Sequence, residues 1–198
     1  MPSPKSELEH MSGFTFLVAV VLSAQATDKQ VNKVVSKVFP IYNTPEHFIA
    51  LGEEGIREQI KSIGLYKSKA KNIFALSKIL KEEYNSEIPT TREELEALPG
   101  VGRKTANVVM NELFGQPTIA VDTHVFRLSG RLGLSEGNTP LKVEADLEKI
   151  IPEKYKYHIS DWLVLHGRYV CKAQKPNCTE CMLKDICLHI EKTKKQDK

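Results

Sequence analysis

Apolar residues recur along this chain with a helical period. Phe14, Leu17, Val18, Val21 and Leu22 follow the i, i+3, i+4, i+7, i+8 pattern. The positions between them are apolar as well, so this helix is predicted to be central. A second helix fits residues 28–39 and ends before Pro40. Thr44-Pro45 is an N-cap with proline at the first helical position, opening a short helix up to Gly52. Another runs from Glu53 to Ser62 and stops at Gly64. The longest periodic run, residues 67–84, turns Ala70, Ile73, Phe74, Leu76, Ile79 and Leu80 inward. Thr91 to Glu94 reads as a capping box ahead of Leu95 and Leu98. A glycine turn follows, then a helix to about Phe114 closed by Gly115 and Pro117. Asp122 or Thr123 caps the next, to about Arg131; Thr139-Pro140 opens one that Pro152 ends; a last long helix covers about Lys154 to Val170. Only residues 118–121 hint at a strand. The pattern predicts an all-α fold.

Composition changes this picture little. With 198 residues the chain can bury a real core, as one domain or as two small ones. A hydrophobic content of 41% beside 27% charged residues places it among ordinary globular proteins. The apolar run from Phe14 to Ala24 is too short to span a bilayer. Before it stand Lys5, Glu7 and Glu9, the wrong charge for the start of a signal peptide. The four cysteines are therefore expected in a reducing compartment and not in disulfides. The net charge is only +3, but its distribution is uneven. From residue 165 on, Arg168, Lys172, Lys175, Lys184, Lys192, Lys194, Lys195 and Lys198 outnumber Glu180, Asp185, Glu191 and Asp197. A basic end of this kind suits a polyanion, although a solvated tail has the same composition.

Candidate chemistry concentrates in residues 98–127. Leu98-Pro99-Gly100-Val101-Gly102 stands between two helices. Pro99 ends the first, and the two glycines allow backbone angles and close approaches that a Cβ would forbid. The amides opening the second helix, with its dipole, make an anion site that holds a phosphate backbone without reading bases. A plain helical hairpin with a glycine turn fits the same residues. Lys104 lies in the first turn of the second helix, where the dipole and partial burial disfavour an ammonium and favour a nucleophilic amine. Asp122 is a natural N-cap that also offers a carboxylate.

Cys171, Cys178, Cys181 and Cys187 form a C-x6-C-x2-C-x5-C array. Spacing alone leaves a [4Fe-4S] cluster, structural zinc and unligated thiols open. Lys172 and Lys175 lie between the first two cysteines, on a loop that such a centre would hold rigid.

Leu22 to Asp28, Ile63-Gly64-Leu65-Tyr66, Leu98 to Val108, Ile119 to His124, Leu165 to Tyr169 and the cysteine array occur in an order that resembles the endonuclease III family. These are bacterial DNA glycosylases and AP lyases of the helix-hairpin-helix superfamily, and the likeness runs through nearly the whole chain. It implies a six-helix barrel domain at 6–116, with a helix-hairpin-helix at about 91–114. Beside it a cluster domain, 117–198 plus the first few residues, carries a [4Fe-4S] cluster on Cys171, Cys178, Cys181 and Cys187. Lys104 stands at the family's catalytic lysine and Asp122 at its catalytic aspartate, on opposite walls of an interdomain cleft. Gln25 and Leu65 match residues that fill the gap left in the duplex by a flipped base. Gly100, Gly102, Arg103, Lys172 and Lys175 complete the expected DNA contacts.

The implied partner is double-stranded DNA with damaged pyrimidines or abasic sites, bound by a monomer in the bacterial cytoplasm at the nucleoid, away from membranes. The implied reaction joins base release to strand cleavage through a Lys104 Schiff base. The chain begins about one helix short of the family's usual start, so weaker support of the cluster domain is expected. Three rivals fit less of the sequence. An adenine-mismatch glycosylase usually lacks the lysine and carries a further domain. A non-catalytic DNA-binding module needs neither Lys104 nor Asp122, and a small iron–sulfur electron carrier leaves the glycine turn unexplained.

Overall fold

A computed structural model describes residues 8–189 of the chain. These form α1 (Gly13–Ser23), α2 (Asp28–Val38), α3 (Pro45–Ile60), α4 (Tyr66–Glu83), α5 (Arg92–Ala97), α6 (Arg103–Phe114), α7 (Thr123–Leu132), α8 (Pro140–Ile150) and α9 (Glu153–Tyr169). The fold is all-α, with no strand among the described residues. None of these helices is long and apolar enough to cross a membrane. The backbone divides into two compact units, one over Lys5–Phe114 and the other over Gly115–Lys198. The expected share of the first few residues in the cluster domain lies outside the described residues. So do Lys192, Lys194, Lys195 and Lys198 of the basic tail.

The first unit is built around α1. Every residue from Phe14 to Leu22 is buried, so apolar contact is needed on all sides of this helix. Helices α2, α4 and α6 supply it, α3 packs on α4 and α2, and α5 packs on α6. Two capping boxes that the sequence reading did not anticipate fix the starts of the first two helices. Ser12 with Thr15 opens α1, and Thr27 with Gln30 opens α2. The expected break near Gly52 is present inside α3, where that residue takes φ 71° and ψ 166°. Thr91 caps α5, but the predicted box is altered: the Glu94 carboxylate receives the Thr91 hydroxyl at 2.6 Å.

In the second unit α7 packs on α8 and α9 around Ile119, Val125, Leu128, Val143 and Leu147. Residues 118–121 are buried but belong to no helix or strand among the described residues. The Ala120 amide instead donates to the Ser160 hydroxyl at 3.0 Å.

Candidate active site

The glycine turn is anchored by Leu98 and Val101, both buried, with the Val101 amide donating to the Leu98 carbonyl at 3.0 Å. Arg92 Nε donates to Oδ1 of the fully buried Asn107 at 3.0 Å, tying the start of α5 to α6. The two glycines have different reasons to be glycine. Gly100 has φ 82°, and a Cβ on it would meet the Asn72 side chain at 2.9 Å. Both backbone and packing therefore require it. Gly102 is exposed, and nothing lies within 4 Å of where its Cβ would be. The fold leaves that space open. Asn72 was not singled out from sequence, because its role exists only through α4 packing beside the turn.

Lys104 is the second residue of α6 and is exposed, so the partial burial expected of it is not found. The helix start still places its stem among amides that have no partner inside the helix. Beside it Arg103 is half-exposed, with Nη1 3.8 Å from a Glu96 carboxylate oxygen.

Gln25 and Leu65 have a feature invisible in sequence. Both are non-glycine residues in the left-handed region, at φ 54° and 59°, and both are exposed. Their loops run side by side, a Cβ on Gly64 falling 3.8 Å from the Gln25 carbonyl oxygen. Left-handed backbone costs a residue with a Cβ about 1–2 kcal/mol, and such strain gathers at functional positions.

In the second unit Asp122 caps α7, its Oδ1 accepting from the amides of His124 and Val125 at 2.8 Å each. Two arginines on α7 join that helix to the cysteine loop. Arg127 Nη2 donates to His124 Nδ1 at 3.2 Å, to the Gly167 carbonyl at 3.1 Å and to the Cys171 carbonyl at 3.0 Å. Arg131 donates to Cys171 Sγ at 3.2 Å, to the Lys172 carbonyl at 2.8 Å and to the Ala173 carbonyl at 3.0 Å. This approach needs a bare backbone on α9, since a Cβ on Gly167 would come within 2.8 Å of His124 Nδ1. Neither arginine was predicted. For Arg131 the available signal is a cation in the last turn of a helix, which is too common to be specific.

The four cysteines are half-buried and free. Cys187 Sγ donates to the Arg131 carbonyl at 3.8 Å, and Cys181 Sγ lies 3.5 Å from His166 Nε2. Burial pushes the Cys178 thiol up, and the charges of Cys171, Cys181 and Cys187 push it further, with Arg131 opposing. The thiols are thus neighbours. Among the described residues, however, no three His, Cys, Asp or Glu side chains are grouped to hold a single metal ion. Lys172 and Lys175 are exposed on the loop between the first two thiols. Lys104 belongs to the first unit, and Asp122 and the cysteines to the second.

The family model for the HhH-GPD superfamily of base excision DNA repair proteins matches residues 18–153. Endonuclease III of Rickettsia felis is 58% identical over 94% of this chain and 87% of its own length. Endonuclease III of Escherichia coli K12 is 52% identical over 96% and 90%. A solved structure, a trapped endonuclease III–DNA covalent intermediate, superposes with a TM-score of 0.91 at 48% identity, covering 96% of this chain and 90% of that one.

The contrast between the two glycines is testable. Gly100→Ala should cost about 1–2 kcal/mol, read as a lower melting temperature. Gly102→Ala should leave melting unchanged while weakening duplex binding, read by fluorescence anisotropy. A Gly102 variant that melts early would show that the fold, not a partner, needs that glycine.

Proposed function

The chain belongs to the HhH-GPD superfamily of base excision DNA repair proteins and is a DNA glycosylase and AP lyase of the endonuclease III kind; we propose that Lys104 is its nucleophile, Asp122 its catalytic carboxylate and oxidised pyrimidines its substrates. The observation that carries this is the pairing of a lysine at an exposed helix start with an open glycine beside it. A backbone phosphate can come close there, bringing the adjoining sugar to the amine.

A damaged base inside a duplex is out of reach, so it is extruded first, which costs least where pairing is already weak. The Lys104 amine then bonds to the sugar C1′ as the N-glycosidic bond breaks, and the base leaves with the electron pair and takes up a proton. Asp122 stabilises the positive charge that develops and assists proton transfer. With Oδ1 committed to the cap, Oδ2 is the oxygen for that work. The sugar ring opens to a Schiff base on Lys104, which acidifies the C2′ proton. Loss of that proton expels the 3′ phosphate and cuts the strand. Gln25 and Leu65 fill the gap the base leaves, and Gly100, Gly102, Arg103, Lys172 and Lys175 hold the backbone. The protein works as a monomer on the DNA of the bacterial cytoplasm.

Cys171, Cys178, Cys181 and Cys187 would hold a [4Fe-4S] cluster, and the thiols fit one. Four half-buried thiols, none of them in a disulfide, supply the all-sulfur donor set that such a cluster takes. The cluster's contribution is structural: it keeps the loop of Lys172 and Lys175 in shape.

Four expectations follow from this reading. Borohydride should trap the protein on a duplex containing an abasic site, and Lys104→Gln should abolish the adduct; an adduct that survives would remove Lys104 from its role. Asp122→Asn keeps a good N-cap, so melting should move by less than about 2 °C while turnover falls about 10²–10³-fold. Purified protein should be brown, with about four irons per chain by metal analysis. Finally, Gln25→Ala and Leu65→Ala should each lower kcat/KM on a duplex lesion about tenfold, the scale of an interface contact. Cleavage of a single-stranded abasic site should change less than about twofold, because a single strand leaves no gap to fill.

A further inference from the structure

Lys69 is a buried lysine that the proposed chemistry does not use. Only 4% of it is exposed, and it pairs with no carboxylate among the described residues. It also lies in the opening turn of α4, where the helix dipole is itself positive. Burying a cation there is costly, and burial pulls its ammonium below the ordinary lysine value. An apolar chain of similar length would fill the space at less cost. What the ammonium does is donate from Nζ to the Leu22 carbonyl at 2.8 Å, at the negative end of α1.

That bond joins two particular loops. Gln25 follows Leu22 by three residues, between the end of α1 and the Thr27 capping box. Leu65 precedes Lys69 by four, and its carbonyl accepts from the Lys69 amide at 3.0 Å and from the Ser68 hydroxyl at 3.0 Å. A continuous path therefore runs from Leu65 through the backbone and side chain of Lys69 to the segment that presents Gln25. We propose that Lys69 is a positioning residue that sets the spacing of Gln25 and Leu65, so that the two enter the opened duplex as a pair. This rests on the duplex-filling role given to those residues above. It adds the buried cation that holds two strained and exposed loops in register.

The experiment compares Lys69→Met with the unchanged protein on two substrates, a duplex carrying an oxidised pyrimidine and a single-stranded abasic oligonucleotide. Expected are unchanged or higher melting and about tenfold lower kcat/KM on the duplex. Cleavage of the single strand should change less than about twofold. In a Gln25→Ala, Leu65→Ala background the Lys69 substitution should add almost nothing. An unchanged duplex rate, an equal loss on both substrates, or an undiminished effect in that background would overturn the proposal. If Lys69→Met does not yield folded protein, Lys69→Gln is judged by the same ratio. Should Gln25→Ala and Leu65→Ala leave the ratio untouched, the duplex-filling role itself is wrong; should they shift it while Lys69→Met does not, only the role of Lys69 is.

Discussion

Helix α1 is apolar on every side, and a helix of that kind has to be covered on every side. Its burial from Phe14 to Leu22 recruits α2, α4 and α6 as direct neighbours. The residues proposed for the site in this unit stand on what surrounds it. The loop after α1 presents Gln25, the start of α4 presents Leu65, and α6 begins with Arg103 and Lys104. Close packing transmits a displacement of one covering helix to its neighbours, so these loops are fixed relative to a common axis. Precision at loop positions, which are ordinarily mobile, is obtained from a core that has few alternative packings.

The second unit reaches a comparable end by polar means. Its apolar core is smaller, and the cysteine loop meets it through Cys171. Arginines take over where apolar area runs out. Arg127 and Arg131 span from α7 to backbone carbonyls at the end of α9 and on the loop, and each guanidinium satisfies several acceptors in one plane. Helix α7 therefore carries Asp122 at one end and steadies the cysteine loop at the other. The single-atom approach at Gly167 makes this geometry possible, because the α9 backbone comes up against His124 and Arg127 where no side chain intervenes.

Much of this was legible in the sequence, and the remainder was not, for identifiable reasons. Helices and most of their ends were readable because caps and periodicity are local: Thr44-Pro45, Thr139-Pro140 and Asp122 all act where expected. The family was readable because its motifs fall in order. Residues whose role depends on another element were not readable. Asn72 matters because of Gly100, Lys69 because of Leu22, and Arg131 because of the cysteine loop. The boxes at Ser12 and Thr27 are local yet less legible, since Thr15 is an unusual closing residue and Gln30 stands among other polar side chains. Glutamate in turn misled at Glu94, whose carboxylate chose the Thr91 hydroxyl. Lys104 was expected to be partly buried because a nucleophilic amine is easiest to explain that way; its exposure moves the burden onto the helix start and the substrate.

Positions that cost the fold something, or return nothing to it, are the most informative about function. Gly100 and Gly167 are explained by their neighbours and so say little about partners. Gly102 has no neighbour to accommodate, yet it gives up the conformational restriction that alanine would bring to the unfolded chain. Gln25 and Leu65 sit in backbone conformations that glycine would adopt freely, while exposing side chains that make no use of the core. Lys69 buries a charge where a methionine would pack. Each is a poor choice for an isolated protein and a reasonable one for a protein that grips a phosphate backbone and replaces an extruded base. Such local inconsistency is expected at functional sites, because a surface shaped for a partner is not at its own minimum without one. Gly102, Gln25 and Leu65 stand on three separate connections of the first unit, and all three deviations suit the partner proposed above, an opened DNA duplex.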